Sequence, residues 1–356
     1  MKRNHGLSLA AMLMMAASAA HAQSSVTLYG VADVGIEYLS HAPSASGGKN
    51  LVRMSSGNLS TSRWGIRGVE DLGGGLKALF NLESGISLDT GANNNTSKLF
   101  DRASFVGLSS QYGTLTLGRQ TTPIYDMSAQ LDPMAIANRY SLFLSDAILA
   151  GRADNAVKYS GRFGGLTTSA LYSFGRTNNG EVPGNFRIDR NIGLSLLYET
   201  GPFSVGAVYD ELQGSSLATQ ALKDRRFLVG GTYAFGPAKA FAGMRWFNGN
   251  AGTLSVDRSN LYWAGLKYTA TPALTLTGAA YYTDVKNSGA DPLMLVASAD
   301  YTLSRRTDVY LTVGYVANRK GSQLGMNGYN ALSGPAGSVQ PGDNQTGAVM
   351  GIRHKF

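Results

Sequence analysis

Gly347-Ala348-Val349-Met350-Gly351-Ile352-Arg353-His354-Lys355-Phe356 closes the chain, and its alternation decides the fold. Ala348, Met350, Ile352 and Phe356 fall on one side, while Val349, Gly351, Arg353 and Lys355 fall on the other. This is the period of a half-buried strand. Left at the edge of an open sheet it would expose unpaired N–H and C=O groups beside an apolar face. Its expected partner is the first strand, residues 26–38. There Val26, Leu28, Ala32, Val34, Ile36 and Tyr38 share one face and Thr27, Tyr29, Asp33 and Glu37 the other. Pairing of the two would close the sheet into a barrel; a soluble sandwich ending in an apolar strand is the alternative.

At the other end, Lys2 and Arg3 precede an uncharged apolar run from Leu7 to Ala20, and Ala20-His21-Ala22 has small residues where a secretory signal is cut. Residues 1–22 therefore read as a signal peptide and 23–356 as one domain. Cleavage removes two of the 31 basic residues and none of the 23 acidic ones, so the formal charge falls from +8 to +6. The adjacent pairs Arg225-Arg226 and Arg305-Arg306 are too sparse for a nucleic-acid surface. With 45 glycines, 18 tyrosines, 15% charged residues and no cysteine, an exported chain must be held by its backbone ladder rather than by disulfides.

Seven short turn signals recur, at residues 71–75, 111–113, 163–165, 200–202, 235–237, 270–272 and 304–306. The segments between them alternate in twos, as in Ile192, Leu194, Leu196, Tyr198 and Val309, Leu311, Val313, Tyr315. Seven turns join fourteen strands, and the terminal strands make sixteen. Such a barrel is too wide for side chains to fill, so its apolar face must look outward to lipid. Aromatics cluster near both strand ends: Phe163, Tyr198, Phe235, Tyr268 and Phe356 at the turns, Tyr38, Tyr209, Trp246, Tyr282 and Tyr315 opposite. Two such rows suit two membrane interfaces. The connections at the second rim, 41–61, 87–100, 176–187, 213–224 and 319–344, read as long polar loops. One connection breaks the pattern. Residues 120–151 lack alternation yet hold Ile124, Met127, Leu131, Tyr140, Leu142, Phe143 and Leu149. So apolar a segment is expected to fold into the lumen and pack on the wall.

Leu28-Tyr29-Gly30, the run from Trp64 to Leu76, Arg102-Ala103-Ser104-Phe105-Val106-Gly107-Leu108, Gly118-Arg119-Gln120, Tyr125-Asp126 and the final Phe356 resemble the trimeric general-diffusion porins of Gram-negative outer membranes, above all their beta-proteobacterial branch. The resemblance spans the mature chain and is strongest over residues 26–160. It implies an all-β, sixteen-stranded antiparallel transmembrane barrel in the outer membrane, with the third loop narrowing the lumen. It implies wall arginines at Arg63, Arg102 and Arg152 and loop acids at Asp126 and Asp132. Two other positions where enteric members carry acids hold Ile136 and Tyr140, with Arg139 between them, and a first-strand lysine position holds Val31. It also implies that the barrel-assembly machinery reads the C-terminal strand through Phe356.

Parity places Arg63 opposite an outward Trp64, and Arg102 opposite outward Ala103 and Phe105. Arg67, Lys158 and Arg162 are expected to line the pore. A passage bounded by Arg63, Arg102, Arg152 and Arg139 against Asp126 and Asp132 is expected to prefer anions and to pass ions and small hydrophilic solutes. A substrate-specific phosphate or carboxylate channel is the alternative. Outward Gly30, Ala32, Gly68, Ala78, Ala103 and Gly107 suit close contact in a homotrimer. Arg119, on the parity of Leu115 and Leu117, is expected to face Asp89 of a partner. Hydrolase chemistry is not expected, because mature histidines are limited to His41 and His354. Metal and cofactor motifs are likewise missing from the sequence.

Overall fold

The computed structural model describes residues 25–44, 47–177, 179–326, 339 and 342–356. The expected signal segment lies outside the described residues. The chain opens with β1 (Ser25–Ser44), β2 (Gly47–Ser56), β3 (Arg63–Gly73), β4 (Leu76–Gly85), β5 (Ala103–Ser110) and β6 (Gly113–Thr121). After helix α1 (Pro123–Leu131) come β7 (Arg152–Phe163), β8 (Leu166–Ser173), β9 (Asn191–Thr200), β10 (Phe203–Gln213) and β11 (Lys223–Phe235). The last six are β12 (Ala238–Gly249), β13 (Arg258–Thr269), β14 (Leu274–Val285), β15 (Leu293–Thr302), β16 (Thr307–Ala317) and β17 (Gln345–Lys355).

Each strand pairs antiparallel with its neighbours, and β17 pairs with β1 from Val31 opposite Lys355 to Leu39 opposite Gly347. The sheet is closed. At the seam Gly30 and Phe356 exchange backbone hydrogen bonds of 3.0 and 3.1 Å. A Cβ at Gly30 would stand 2.3 Å from the Phe356 ring, so glycine is what lets the terminal ring lie across the first strand. All seven expected turns join consecutive strands. Gly73, Gly74 and Gly75 all take positive φ, the freedom that the glycine triplet supplies.

Seventeen ladders make sixteen wall strands because β2 and β3 are one strand interrupted at residues 57–62. The lower part of β1 pairs with β3 and its upper part with β2. This corrects the reading of residues 41–61 as a loop. The Asp33 carboxylate holds the break: it accepts from the Leu59 and Ser60 amides at 2.9 and 2.7 Å, and the Tyr310 hydroxyl donates to it at 2.5 Å. Two half-buried amides freed from the ladder thus gain a charged acceptor.

Exposure follows parity. Leu194, Leu196 and Tyr198 are 48 to 50% exposed, whereas Leu197 between them is 3% exposed. Three outward readings are overturned. Ala103 and Phe105 stand opposite Glu83 and Asn81, and Gly107 opposite Thr116, all on the lumen face; Val106 and Leu108 look out. Alternation is undisturbed in β5, but Arg102 precedes its first rung and is turned inward from outside the ladder.

The connection between β6 and β7 lies against the inner wall. Ile124, Met127 and Leu131 pack with Leu197, Val208 and Leu228, all on the inward parity of β9 to β11. Inward glycines make room for it: a Cβ at Gly193, Gly206 or Gly265 would meet Pro123, Met127 or Pro133 within 3 Å. The Trp263 indole donates to the Leu131 carbonyl at 2.8 Å, holding the helix end on β13. No helix among the described residues is long and apolar enough to cross a membrane.

Candidate functional site

Arg63 and Arg102, from β3 and the approach to β5, converge on Glu83 of β4 at 3.5 and 2.7 Å. The Tyr29 hydroxyl lies 2.9 Å from Glu83 and 2.8 Å from Asn81, and the Arg67 guanidinium sits 5.0 Å over the Tyr29 ring. Arg152, the first residue of β7, donates to the Arg102 carbonyl at 3.0 Å and lies 5.1 Å over the Tyr125 ring of α1. Four guanidinium groups are thus strung along one wall, with Glu83 as the carboxylate between the middle pair. Sequence reasoning misses the roles of Glu83 and Tyr29. The shared parity of Glu83 and Asn81 is visible in the sequence, but only the strand register brings Glu83 to Arg102.

The loop's charged residues are placed differently from the sequence expectation. Asp126 pairs with Lys158 at 2.5 Å, on β7, rather than facing Arg63 and Arg102. Asp132 is 1% exposed and serves the loop itself, accepting from the Met134 and Ile136 amides at 3.1 and 2.8 Å and from the Tyr281 hydroxyl at 2.6 Å. Burial pushes its carboxyl up to about 6, against the pull of those hydrogen bonds. Arg139 is 2% exposed, paired with Glu37 at 3.1 Å and bonded to Asn58 at 2.9 Å. Glu37 also pairs with Arg53.

A second buried cluster holds the other side of the loop. Asp146 lies between Arg226 of β11 and Arg245 of β12 at 2.7 and 3.3 Å, with all three side chains buried. The Phe247 ring lies 4.7 Å from the first guanidinium and 5.7 Å from the second. Burial alone would raise the Asp146 carboxyl; the two arginines outweigh it and hold it below the usual carboxylate range. Asp146 is therefore an anchor of the loop on the wall.

Arg119 stands opposite Ser104 on the outward parity, donates to the Asp101 carbonyl at 2.6 Å and pairs with Asp154, which also holds Lys98. Its charge is answered within its own chain. Asp89 is exposed in the connection between β4 and β5. Arg162 pairs with Glu199 at 3.5 Å near the turn rim and does not join the wall cluster. A cavity of about 160 Å³, lined among others by Thr61, Asn94, Arg102, Arg119, Asn138 and Arg152, continues the basic wall toward the long-loop rim.

A closed barrel of this strand number, apolar outside and charged within, has a counterpart among known families. The sequence model described as Gram-negative porin matches residues 9–321. The chain belongs to that family. This porin is 32% identical to outer membrane porin protein 32 of Delftia acidovorans, over 98% of this chain and 99% of the relative. It is also 32% identical to an outer membrane porin protein of Bordetella pertussis, over 87% of this chain and 93% of that relative. Among solved structures, the anion-selective porin from Comamonas acidovorans superposes with a TM-score of 0.79 at 29% identity, covering 94% of this chain and 100% of that one. The beta-proteobacterial resemblance and the sixteen-stranded barrel are both upheld. The porin is an outer-membrane diffusion channel and not an enzyme.

Proposed function

We propose that this porin's passage prefers anions and that Arg63, Arg67, Arg102 and Arg152 set the preference. The observation that carries this is the unequal neutralisation of wall and loop. Asp126 is matched by Lys158, Asp132 is buried, and Arg139 is matched by Glu37. Arg63 and Arg102 share the single carboxylate of Glu83. Within a screening length of roughly 8 to 10 Å, the ions in the passage meet a net positive wall. The anion-selective neighbour from Comamonas supports the same reading.

Reversal potential across a potassium chloride gradient tests it. The wild type is expected to favour chloride, Glu83→Gln to favour it more, and Arg63→Gln/Arg152→Gln to favour it less. A cation-selective wild type, or a Glu83→Gln pore with unchanged selectivity, removes these residues from the role. The arginine string and adjoining cavity also favour a second reading, a phosphate- or carboxylate-specific channel; saturable block of chloride current by one such solute would select it.

The same reading includes a homotrimer, contacts through the small outward residues Gly30, Ala32, Gly68 and Ala78, and a signal peptide removed after Ala22. It includes delivery by the barrel-assembly machinery through the strand ending in Phe356. Deleting Phe356 is expected to lower outer-membrane assembly more than it changes the conductance of assembled pores, and normal assembly would refute that role.

A further inference from the structure

On the outward face near the long-loop rim, one cross-strand rung runs through Tyr209, Phe227, Trp246 and Asn260. The next rung toward the loops, on the same face, runs through Glu211, Arg225, Asn248 and Arg258. The Lys286 amide donates to the Arg258 carbonyl at 3.1 Å and extends that rung onto the following connection. A row of cations therefore lies roughly 7 Å beyond a row of aromatics, two residues along each strand.

Glu211 is ringed by three of the basic groups, Lys223 at 2.9 Å, Arg225 at 3.0 Å and Arg190 at 3.5 Å. Lys286 pairs with Asp284, and Arg258 carries no ion pair among the described residues. With Asp257 and with Asp291, which accepts from the Val285 amide beside Lys286, five cations meet four carboxylates. Two shallow grooves of about 360 and 400 Å³ cross the rung and share Asn248; Lys223 and Arg225 line one, Arg258 and Lys286 the other. Asn250, Asn260 and Asn287 add uncharged donors.

Position says what such a row meets. A cation on the lipid face is tolerated only near the interface, and the aromatic rung directly beneath fixes that depth. Below it the wall is apolar, with Val205, Leu266 and Leu276 exposed. A ligand seated here places an anionic group against the cations and hydrocarbon against the wall. We propose that the rung Arg225–Asn248–Arg258–Lys286, with Lys223, binds the phosphate of an anionic lipid headgroup in the leaflet on the long-loop side. Charge-assisted hydrogen bonds from Arg and Lys are the chemistry of that contact.

Trp246 stands in the aromatic rung and reports on it. With Trp64→Phe as background, which leaves Trp246 facing lipid and Trp263 buried on the inner wall as a constant, unquenched signal, the full mature porin is refolded into phosphatidylcholine vesicles in which a minor fraction of lipid is brominated phosphatidic acid or, in parallel, brominated phosphatidylcholine. Excess quenching of Trp246 by the phosphatidic acid is expected. In Arg225→Gln/Arg258→Gln the excess should fall by about twenty-five-fold, each basic group beside an anionic lipid contributing roughly a factor of five. Arg258→Gln alone, which breaks no ion pair among the described residues, should give a smaller loss and serves if the double variant fails to fold. Equal quenching by the two lipids, or an excess that survives these substitutions, overturns the proposal. Abolition of the excess by inorganic phosphate assigns the site to a free anion and overturns the lipid assignment.

Discussion

Asp132 occupies a position where the family resemblance implies an acid facing the pore arginines, yet its oxygens are spent on two loop amides and Tyr281. That use sets a pH dependence whose sign can be worked out. The folded carboxyl sits near 6 and the ordinary value is 3.8. Between those values the folded protein holds a proton that the unfolded chain releases, so stability gained at low pH is lost as pH rises through about 6. The thermal midpoint of the wild type is expected to fall between pH 5 and 7 relative to Asp132→Asn, which has no proton to lose. A difference that stays flat across that range shows that Asp132 does not titrate there. How much of the site the sequence reveals is visible at this scale. Arg63, Arg102 and Arg152 stand out because their motifs carry them, whereas Glu83 does not, because its meaning depends on register. The misassigned faces of Ala103 and Phe105 have the same origin. Counting parity through Arg102, which stands before the first rung of β5, turns both residues to the wrong side.

The loop of residues 120–151 is fixed by two buried ion clusters of opposite sense: the loop supplies the cation Arg139 to Glu37, and the anion Asp146 to Arg226 and Arg245. Breaking a buried pair from one side leaves uncompensated charge and costs about 3–5 kcal/mol. Asp146→Ala strands two arginines. The barrel ladder is untouched, so assembly should persist while the loop leaves the wall; single-channel recordings are expected to show a changed conductance and added open-channel noise. A quiet, wild-type conductance would mean that apolar packing of Ile124, Met127 and Leu131 holds the loop unaided. Arg139→Glu sets a second carboxylate against Glu37 and so disturbs docking along with selectivity. The apolar content of this segment gives away its inward course. The break at residues 57–62 has no such signal, because it rests on Asp33, which lies 26 residues before Leu59 in sequence and beside it only in the folded sheet.

For the molecule as a whole, closure and strand number are readable because turns recur and the last strand demands a partner. The assembly is a different problem, since lipid and a second barrel both accept an apolar wall. Residue size separates them. On β1, β3 and β4 the outward positions Gly30, Ala32, Gly68 and Ala78 are small, and a shallow apolar groove of about 360 Å³ runs over Gly68, Ala78, Phe80 and Val106. On β13 and β14 the same face carries Tyr262, Tyr268 and Tyr282. Without a hydrophobic drive between barrels in lipid, close packing decides association, and small residues permit it. Tryptophan is tolerated at a lipid face but fills the space a neighbouring wall would need. Ala78→Trp is therefore expected to convert the band of an unheated detergent sample from trimer to monomer. Ala280→Trp, outward on β14, should leave the trimer intact. Trimers that survive Ala78→Trp, or are lost in Ala280→Trp instead, would move the interface away from the early strands.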